Sequence, residues 1–173
     1  MNKIYEDENH NFQFDFNTAD DVIILEKLTQ CIPELQYNVD YILVEEKDIV
    51  FFEFKNSNIK NADNENAFTQ KLTQDRDTFC KNMAKKFISS LFWLWACRGN
   101  EEEKKISYCL LIENDLMDAK MRKLFRNKIS KQLPHNFEKF GEVKREILSD
   151  FTVMNFEEWQ ENFPQYPITP KHK

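Results

Sequence analysis

The 173-residue chain has only two glycines and three histidines. Gly99 and Gly141 stand too far apart for a G-x-G-x-x-G fingerprint or a Walker loop, both of which need several glycines where backbone wraps a phosphate. Nucleotide-cradling enzymes of those kinds are excluded. His10, His135 and His172 form no H-E-x-x-H pair, and no serine sits in a G-x-S-x-G elbow, which removes zincin and serine-elbow hydrolase readings. Cys31, Cys80, Cys97 and Cys109 contain no C-x-x-C pair and sit in apolar contexts, so they read as reduced core thiols rather than a zinc cage or disulfides. A long apolar run is also missing. The best stretch, Phe87 to Cys97, is interrupted by Ser89 and Ser90 and covers about half of the ~20 residues a membrane helix needs. Met1 to His10 is polar and acidic and lacks the basic and apolar regions of a secretory signal. The expectation is a cytoplasmic protein with no membrane partner.

What the chain has in abundance is aromatic residues and charge. Sixteen phenylalanines and three tryptophans, with 41% hydrophobic residues overall, exceed what a disordered coil carries. The length suits one domain over residues 1–173, one that buries roughly 70% of its unfolded surface. The net charge of -6 is unevenly spread. Met1 to Glu53 carries thirteen acids against Lys3, Lys27 and Lys47, a net -10 that suits cations. Leu116 to Leu133 carries six bases against Asp118, a net +5 that could meet phosphates.

Periodicity gives an α/β order. Asn11 to Asn17 alternates through Phe12, Phe14 and Phe16 and reads as a short edge strand. Thr18, with Asp21 three residues on, reads as the cap of a first helix running to about Cys31 before Pro33, with Ile24, Leu25, Leu28 and Cys31 buried. Val39 to Val44 and Ile49 to Lys55 read as a hairpin closed by the charged Glu45 to Asp48. A long helical stretch follows from about Asn66 to Arg98, broken at most once, with Gly99 as its C-terminal cap. Lys105 to Ile112 reads as a third strand, and Leu116 to Leu133 as a basic amphipathic helix stopped by Pro134. One or two strands between Val143 and Met154, a short helix around Glu157 to Asn162, and an extended tail over 164–173 complete the chain.

The hairpin carries the most specific chemistry. Alternation sends Phe51, Glu53 and Lys55 to one face and Val50, Phe52 and Phe54 to the other, so a carboxylate and an ammonium leave an apolar strand side by side. If the hairpin turns about Glu46 and Lys47, Asp40 lies opposite Glu53. Cross-strand neighbours have β-carbons ~5 Å apart, where like charges repel unless something positive lies between them. Mg²⁺ answers that need, since it takes one or two protein carboxylates and completes its shell with water and substrate phosphate; Mn²⁺ can substitute. Lys55, one strand period on, could orient or deprotonate a water for attack on a phosphodiester. Relief of the repulsion should make Asp40→Ala raise the metal-free melting temperature. The competing structural reading is an exposed hairpin face on which Asp40, Glu53 and Lys55 form a solvated salt-bridge ladder. The bare [DE]-x-K pattern does not separate the two, because Glu45-x-Lys47 and Asp118-x-Lys120 match it as well.

With Asp40, twelve intervening residues and Glu53-Phe54-Lys55 between a helix and a longer helix and strand, the chain resembles the PD-(D/E)XK nuclease superfamily of restriction endonucleases and archaeal Holliday-junction resolvases. The resemblance implies a restriction-endonuclease-like core: a mixed central sheet flanked by helices in α-β-β-α-β order, with an added C-terminal helix and strands. It also implies a magnesium-dependent phosphodiesterase in which Asp40 and Glu53 bind metal, the Phe54 carbonyl joins them and Lys55 assists the nucleophile. The naming proline is absent, Val39 standing before Asp40. Family members often add an acid from the first helix. Glu26 is the candidate here, though it falls opposite the Ile24/Leu28 stripe, where a solvated glutamate is the simpler reading.

Around this set, Gln70 and Gln74 could approach the scissile phosphate or be one solvated helix face. The cluster from Phe87 to Trp95 could be a homodimer surface or a packed core helix. Lys120, Lys123 and Lys131, away from Met117, Met121, Leu124 and Phe125, could track a nucleic-acid backbone or simply be the outer face of an amphipathic helix. The expected function is a DNA endonuclease of a defence, repair or mobile-element system, acting as a homodimer or with a partner subunit that supplies specificity. The alternative is a catalytically silent nuclease-like fold that binds protein partners as an accessory or inhibitor module, a reading that net acidity favours.

Overall fold

Two separate aromatic-rich cores, one on each face of a five-stranded sheet, organise the chain. The computed structural model describes residues 2–25, 37–56, 67–135 and 137–171. The strands are β1 (Ile4–Glu6), β2 (Phe12–Asp15), β3 (Asp21–Ile23), β4 (Tyr41–Val44), β5 (Asp48–Asn56), β6 (Lys105–Glu113), β7 (Asp150–Met154) and β8 (Ile168–Pro170). The α-helices are α1 (Ala67–Thr73), α2 (Arg76–Ala96), α3 (Ala119–Ser130) and α4 (Phe156–Asn162).

The large sheet has the order β3-β4-β5-β6-β7. Its first three strands are antiparallel, whereas β5, β6 and β7 run parallel, so the molecule is α/β with a mixed sheet. A strand buried on both faces needs an almost unbroken apolar run. That is how Ile49 to Phe54 reads, and β5 is the middle strand. Ile49 and Phe51 face α2 and α3, packing with Phe87, Tyr108 and Phe125. Val50, Phe52 and Phe54 face the other way, against Phe14, Phe16, Trp159 and Tyr166. The pleat thus puts Val50, Phe52 and Phe54 on the side of the sheet away from α2.

The second core has its own cover. β1, β2 and β8 form a small antiparallel sheet in that order, so β2 is the central strand and not an edge, and the tail contributes a strand that pairs Phe12 with Pro170. Helix α4 joins it through a capping box, in which Asn155 Oδ1 accepts from Glu158 N–H while the Glu158 carboxylate accepts from Asn155 N–H. Trp159 anchors α4, its indole N–H donating to the Tyr166 carbonyl at 2.8 Å.

Other elements depart from the sequence reading. Thr18 does not cap a helix: its hydroxyl donates to the Gln165 carbonyl, and Asp21–Ile23 is strand β3, in register with Ile42–Val44. The Val22-Ile23 pair suits a pleated edge better than a first helical turn. Of the stripe expected to be buried, Leu25 is buried but Ile24 is exposed, and Leu28 and Cys31, with all of 26–31, lie outside the described residues. Only one strand, β7, forms between Val143 and Met154. Helix α3 begins at Ala119, three residues later than Leu116, because Asp118 Oδ1 accepts from Met121 N–H and caps it. The long helical stretch is broken once, between Thr73 and Arg76. Cys80, Cys97 and Cys109 are free thiols, with Cys97 exposed.

The end of α2 also corrects the placement of its cap. Gly99 N–H donates to the Leu94 carbonyl at 2.8 Å and Arg98 N–H to the Trp95 carbonyl at 3.0 Å, a Schellman pattern in which Arg98 takes the left-handed position with φ 56°. Gly99 sits one residue beyond, where a Cβ would collide with Leu94 Cδ1 and lie 3.1 Å from the Leu94 carbonyl oxygen. The two positions therefore respond oppositely. Arg98→Gly should stabilise the fold by about 0.5–1 kcal/mol by removing left-handed strain, and Gly99→Ala should destabilise it, both read from denaturant midpoints.

Candidate functional site

The hairpin register decides whether a site exists. Tyr41 pairs with Phe52 and Ile42 with Phe51, and continuing that ladder by one step brings Asp40 opposite Glu53. Asp40 lies just before β4, and its Oδ2 accepts the Phe54 N–H at 2.8 Å. Phe51 and Glu53 share the α2-facing side with Lys55, as alternation requires. Glu53 is 0% exposed. A solvated ladder is therefore ruled out: the carboxylate lies inside the protein.

Two ammonium groups meet it there. Lys55 Nζ stands 2.5 Å from Glu53 Oε1 and donates to the Phe54 carbonyl at 3.0 Å. Lys86 Nζ, from the middle of α2, stands 2.8 Å from Oε1 and 3.1 Å from Oε2, and reaches Asp40 Oδ1 at 3.9 Å. Oε1 is thus met by both ammonium groups and Oε2 by Lys86 alone. Burial first, and then the Asp40 charge, push the Glu53 carboxyl above the usual glutamate range, with Lys55 and Lys86 pulling the other way. For Lys55, burial works to lower the ammonium, but Glu53 and Asp40 outweigh it and hold the group above the ordinary lysine value.

Sequence reasoning missed Lys86. A signal existed, since Lys86 falls three residues after Met83 and four before Ser90, at the edge of the buried stripe, whereas Lys81 and Lys85 are exposed. That edge meets the segment before β4: Val39 N–H donates to Ser90 Oγ at 2.9 Å and Ser89 Oγ to Asn38 Oδ1 at 3.3 Å. These bonds fix the helix against Asp40.

The site opens into a cavity of about 790 Å³ lined by Asp40, Lys55 and Lys86 and, across the mouth, by Glu6, Asp7 and Glu8 of the β1–β2 turn. Asp7 is engaged in shaping that turn, accepting from Asn11 and Phe12 N–H at 2.7 and 2.6 Å. Glu6 pairs with His10 at 2.6 Å and with Lys171.

The remaining candidates are not brought here. Gln70 and Gln74 are exposed and do not line the cavity, and Glu26 lies outside the described residues. Lys120, Lys123 and Lys131 are exposed and line a separate shallow groove on α3 with Lys128. Three bases of that helix are committed elsewhere: Arg122 to Glu158 at 2.8 Å, Arg126 to Asp150 at 3.3 Å and Lys128 to Asp77 at 2.6 Å. The aromatic stretch of α2 splits, with Phe87, Leu91 and Leu94 buried and Phe92 and Trp95 exposed.

For a divalent cation, the hard oxygens available are those of Asp40 and Glu53 and the Phe54 carbonyl. Among the described residues no three His, Cys, Asp or Glu side chains form a cage. The donor set, two carboxylates and one carbonyl, fits an ion that keeps most of its waters, as Mg²⁺ does.

The bond from Phe54 N–H gives Asp40 a structural role and reverses the stability expectation from sequence. Asp40→Ala should lower metal-free stability by about 1–3 kcal/mol, because it leaves a buried donor unpaired, while Asp40→Asn retains an acceptor and should lose less. Carbon-13 titration of the Glu53 carboxyl should give a midpoint above that of an exposed glutamate, falling in Asp40→Asn and rising in Lys86→Met. Because this carboxyl's folded value is raised, its contribution to stability is complete below the ordinary glutamate range and is lost as pH rises through the raised value. No family model, curated protein or solved structure matches the chain.

Proposed function

We propose that the chain is a Mg²⁺-dependent phosphodiesterase, a nuclease of the PD-(D/E)XK kind acting on DNA, as a defence, repair or mobile-element system would use. The observation that carries this reading is the fully buried Glu53 carboxylate, held in register with Asp40 and paired with Lys55 and Lys86, two residues that line an open cavity together with Asp40. Perturbed ionisable groups gathered in a cleft are costly to fold and mark functional sites. The strand order supports it too: an antiparallel hairpin bearing the acids, then a long helix and a parallel strand, is the arrangement expected of that superfamily's core.

Asp40, Glu53 and the Phe54 carbonyl would hold the ion, which when bound supplies Lewis-acid polarisation of a phosphoryl oxygen and a more acidic water. Lys55 orients the attacking water through its ammonium and offsets charge developing on the phosphoryl oxygens. Lys120, Lys123 and Lys131 would contact the nucleic-acid backbone away from the scissile bond, a contribution that salt weakens.

One observation favours the second reading, a silent nuclease-like module that binds protein partners. The cavity mouth is acidic, with Glu6, Asp7 and Glu8 facing the approach a polyanion would take.

Cleavage assays separate the two. With Mg²⁺ or Mn²⁺ the parent should cut plasmid or single-stranded DNA, and chelation should abolish cutting. Asp40→Asn and Glu53→Gln should lose cleavage and metal binding together, while Lys55→Ala should lose at least about 10²-fold in rate with metal binding retained. No cleavage of any DNA or RNA substrate, together with no heat on titrating Mn²⁺ into the parent, would give the binding-module reading the lead.

A further inference from the structure

We infer that Lys86 is an internal stand-in for the metal: its ammonium holds Asp40 and Glu53 together in the metal-free protein and must be displaced for a divalent ion to enter. This rests on the metal-site reading above and adds to it a mechanism by which the chain controls loading of its own site.

The geometry assigns this part to Lys86 rather than Lys55. Lys55 reaches one carboxylate and its own neighbouring carbonyl, whereas Lys86 Nζ contacts both oxygens of Glu53 at 2.8 and 3.1 Å and faces Asp40 Oδ1 at 3.9 Å. It therefore occupies the space between the two carboxylates, where an ion bridging them would lie. The electrostatics require an occupant. Two carboxylates drawn together without a counter-charge, one of them wholly buried, would repel each other and lose their hydration with nothing in return. With Lys55 and Lys86 both ionised, the two acids and two bases sum to zero, so the fold can form before any metal arrives.

Displacement is sterically available. The backbone of α2 is pinned to the segment before β4 through Ser89 and Ser90, but the lysine head sits on a flexible four-carbon stem. Lys86 lines the cavity of about 790 Å³, and its side chain is 20% exposed, so the ammonium can swing outward without moving the helix. Once freed, it stands at the cavity wall beside the site, placed to meet an anionic substrate group.

The test is calorimetric titration of Mn²⁺ into the parent, Lys86→Met and Lys86→Arg. Lys86→Met should bind Mn²⁺ about tenfold tighter or more, because a unit charge close to a divalent ion has been removed, and Lys86→Arg should bind no more tightly than the parent. Mn²⁺ binding to the parent with equal or weaker binding to Lys86→Met would overturn the inference and leave the metal site standing. Failure of the parent and both variants to bind would overturn the metal reading itself. A second measurement needs no variant: acetylation of Lys86 in the parent, followed by mass spectrometry, should accelerate several-fold on adding Mg²⁺. An unchanged or slower rate in protein that binds the ion calorimetrically would show that Lys86 remains paired, as a permanent structural salt bridge would.

Discussion

A carboxylate with no exposure to solvent, on the middle strand of the sheet, sets conditions that its surroundings have to meet. Glu53 tolerates burial because two lysines reach it from different elements, Lys55 from the same strand and Lys86 from α2. Each ammonium fixes a piece of architecture. Lys86 requires α2 to lie over the β4–β5 hairpin at one rotation, which the bonds from Ser89 and Ser90 to the chain before β4 also enforce. Asp40 is drawn into the same cluster by the Phe54 N–H. A break at any of these points leaves a charge or a polar group buried without a partner, and that asymmetry gives the polar cluster its influence over the fold.

The apolar framework around the cluster is divided. One core lies between the sheet and the pair α2 and α3, and the other between the sheet and the layer made by β1, β2, β8 and α4. The second is built largely from aromatic rings: Phe14 packs edge-on against Phe52 and Phe54, and Trp159 lies 4.5 Å from Phe52. Rings packed this way contribute beyond the area they bury. They hold β5 from behind while its other face carries Glu53 and Lys55, so the charged side chains project from a strand with little freedom to shift. The same layer brings the β1–β2 turn to the cavity mouth, which makes the N-terminal acids part of the approach to the site.

Charge on this chain is separated in space as well as in sequence. Glu6, Asp7, Glu8 and Asp40 of the acidic first third line the cavity, and the basic helix α3 packs on α2 and β7. Three of the five bases in that helix serve as ties to Glu158, Asp150 and Asp77, which leaves Lys120, Lys123 and, just past its end, Lys131 as the exposed positive face. A surface of three solvated lysines attracts phosphate weakly and in a salt-dependent way, so specificity for a nucleic acid would have to arise nearer the cavity.

The sequence alone determined the hairpin, its register and the side of the strand from which Glu53 and Lys55 leave, because a period of two and a symmetric charged turn leave one pairing that buries both apolar faces. It also located β6 and the short C-terminal helix, both of which rest on local pattern and capping, and allowed for one break in the long helix without placing it. It misplaced the segment after Thr18, where a cap-like motif competed with a β-branched pair that strand β4 recruited, and it set Gly99 one residue beyond the left-handed turn that Arg98 makes. Only the tertiary structure decided that the tail closes a second sheet, that Val50, Phe52 and Phe54 turn away from the long helix, and that Lys86 completes the charged cluster. Those outcomes depend on which faces meet across tens of residues. Local periodicity tells a buried face from an exposed one but carries no record of what lies opposite it, and a lysine at the edge of a helical stripe becomes part of a site only when packing sets a buried carboxylate in front of it.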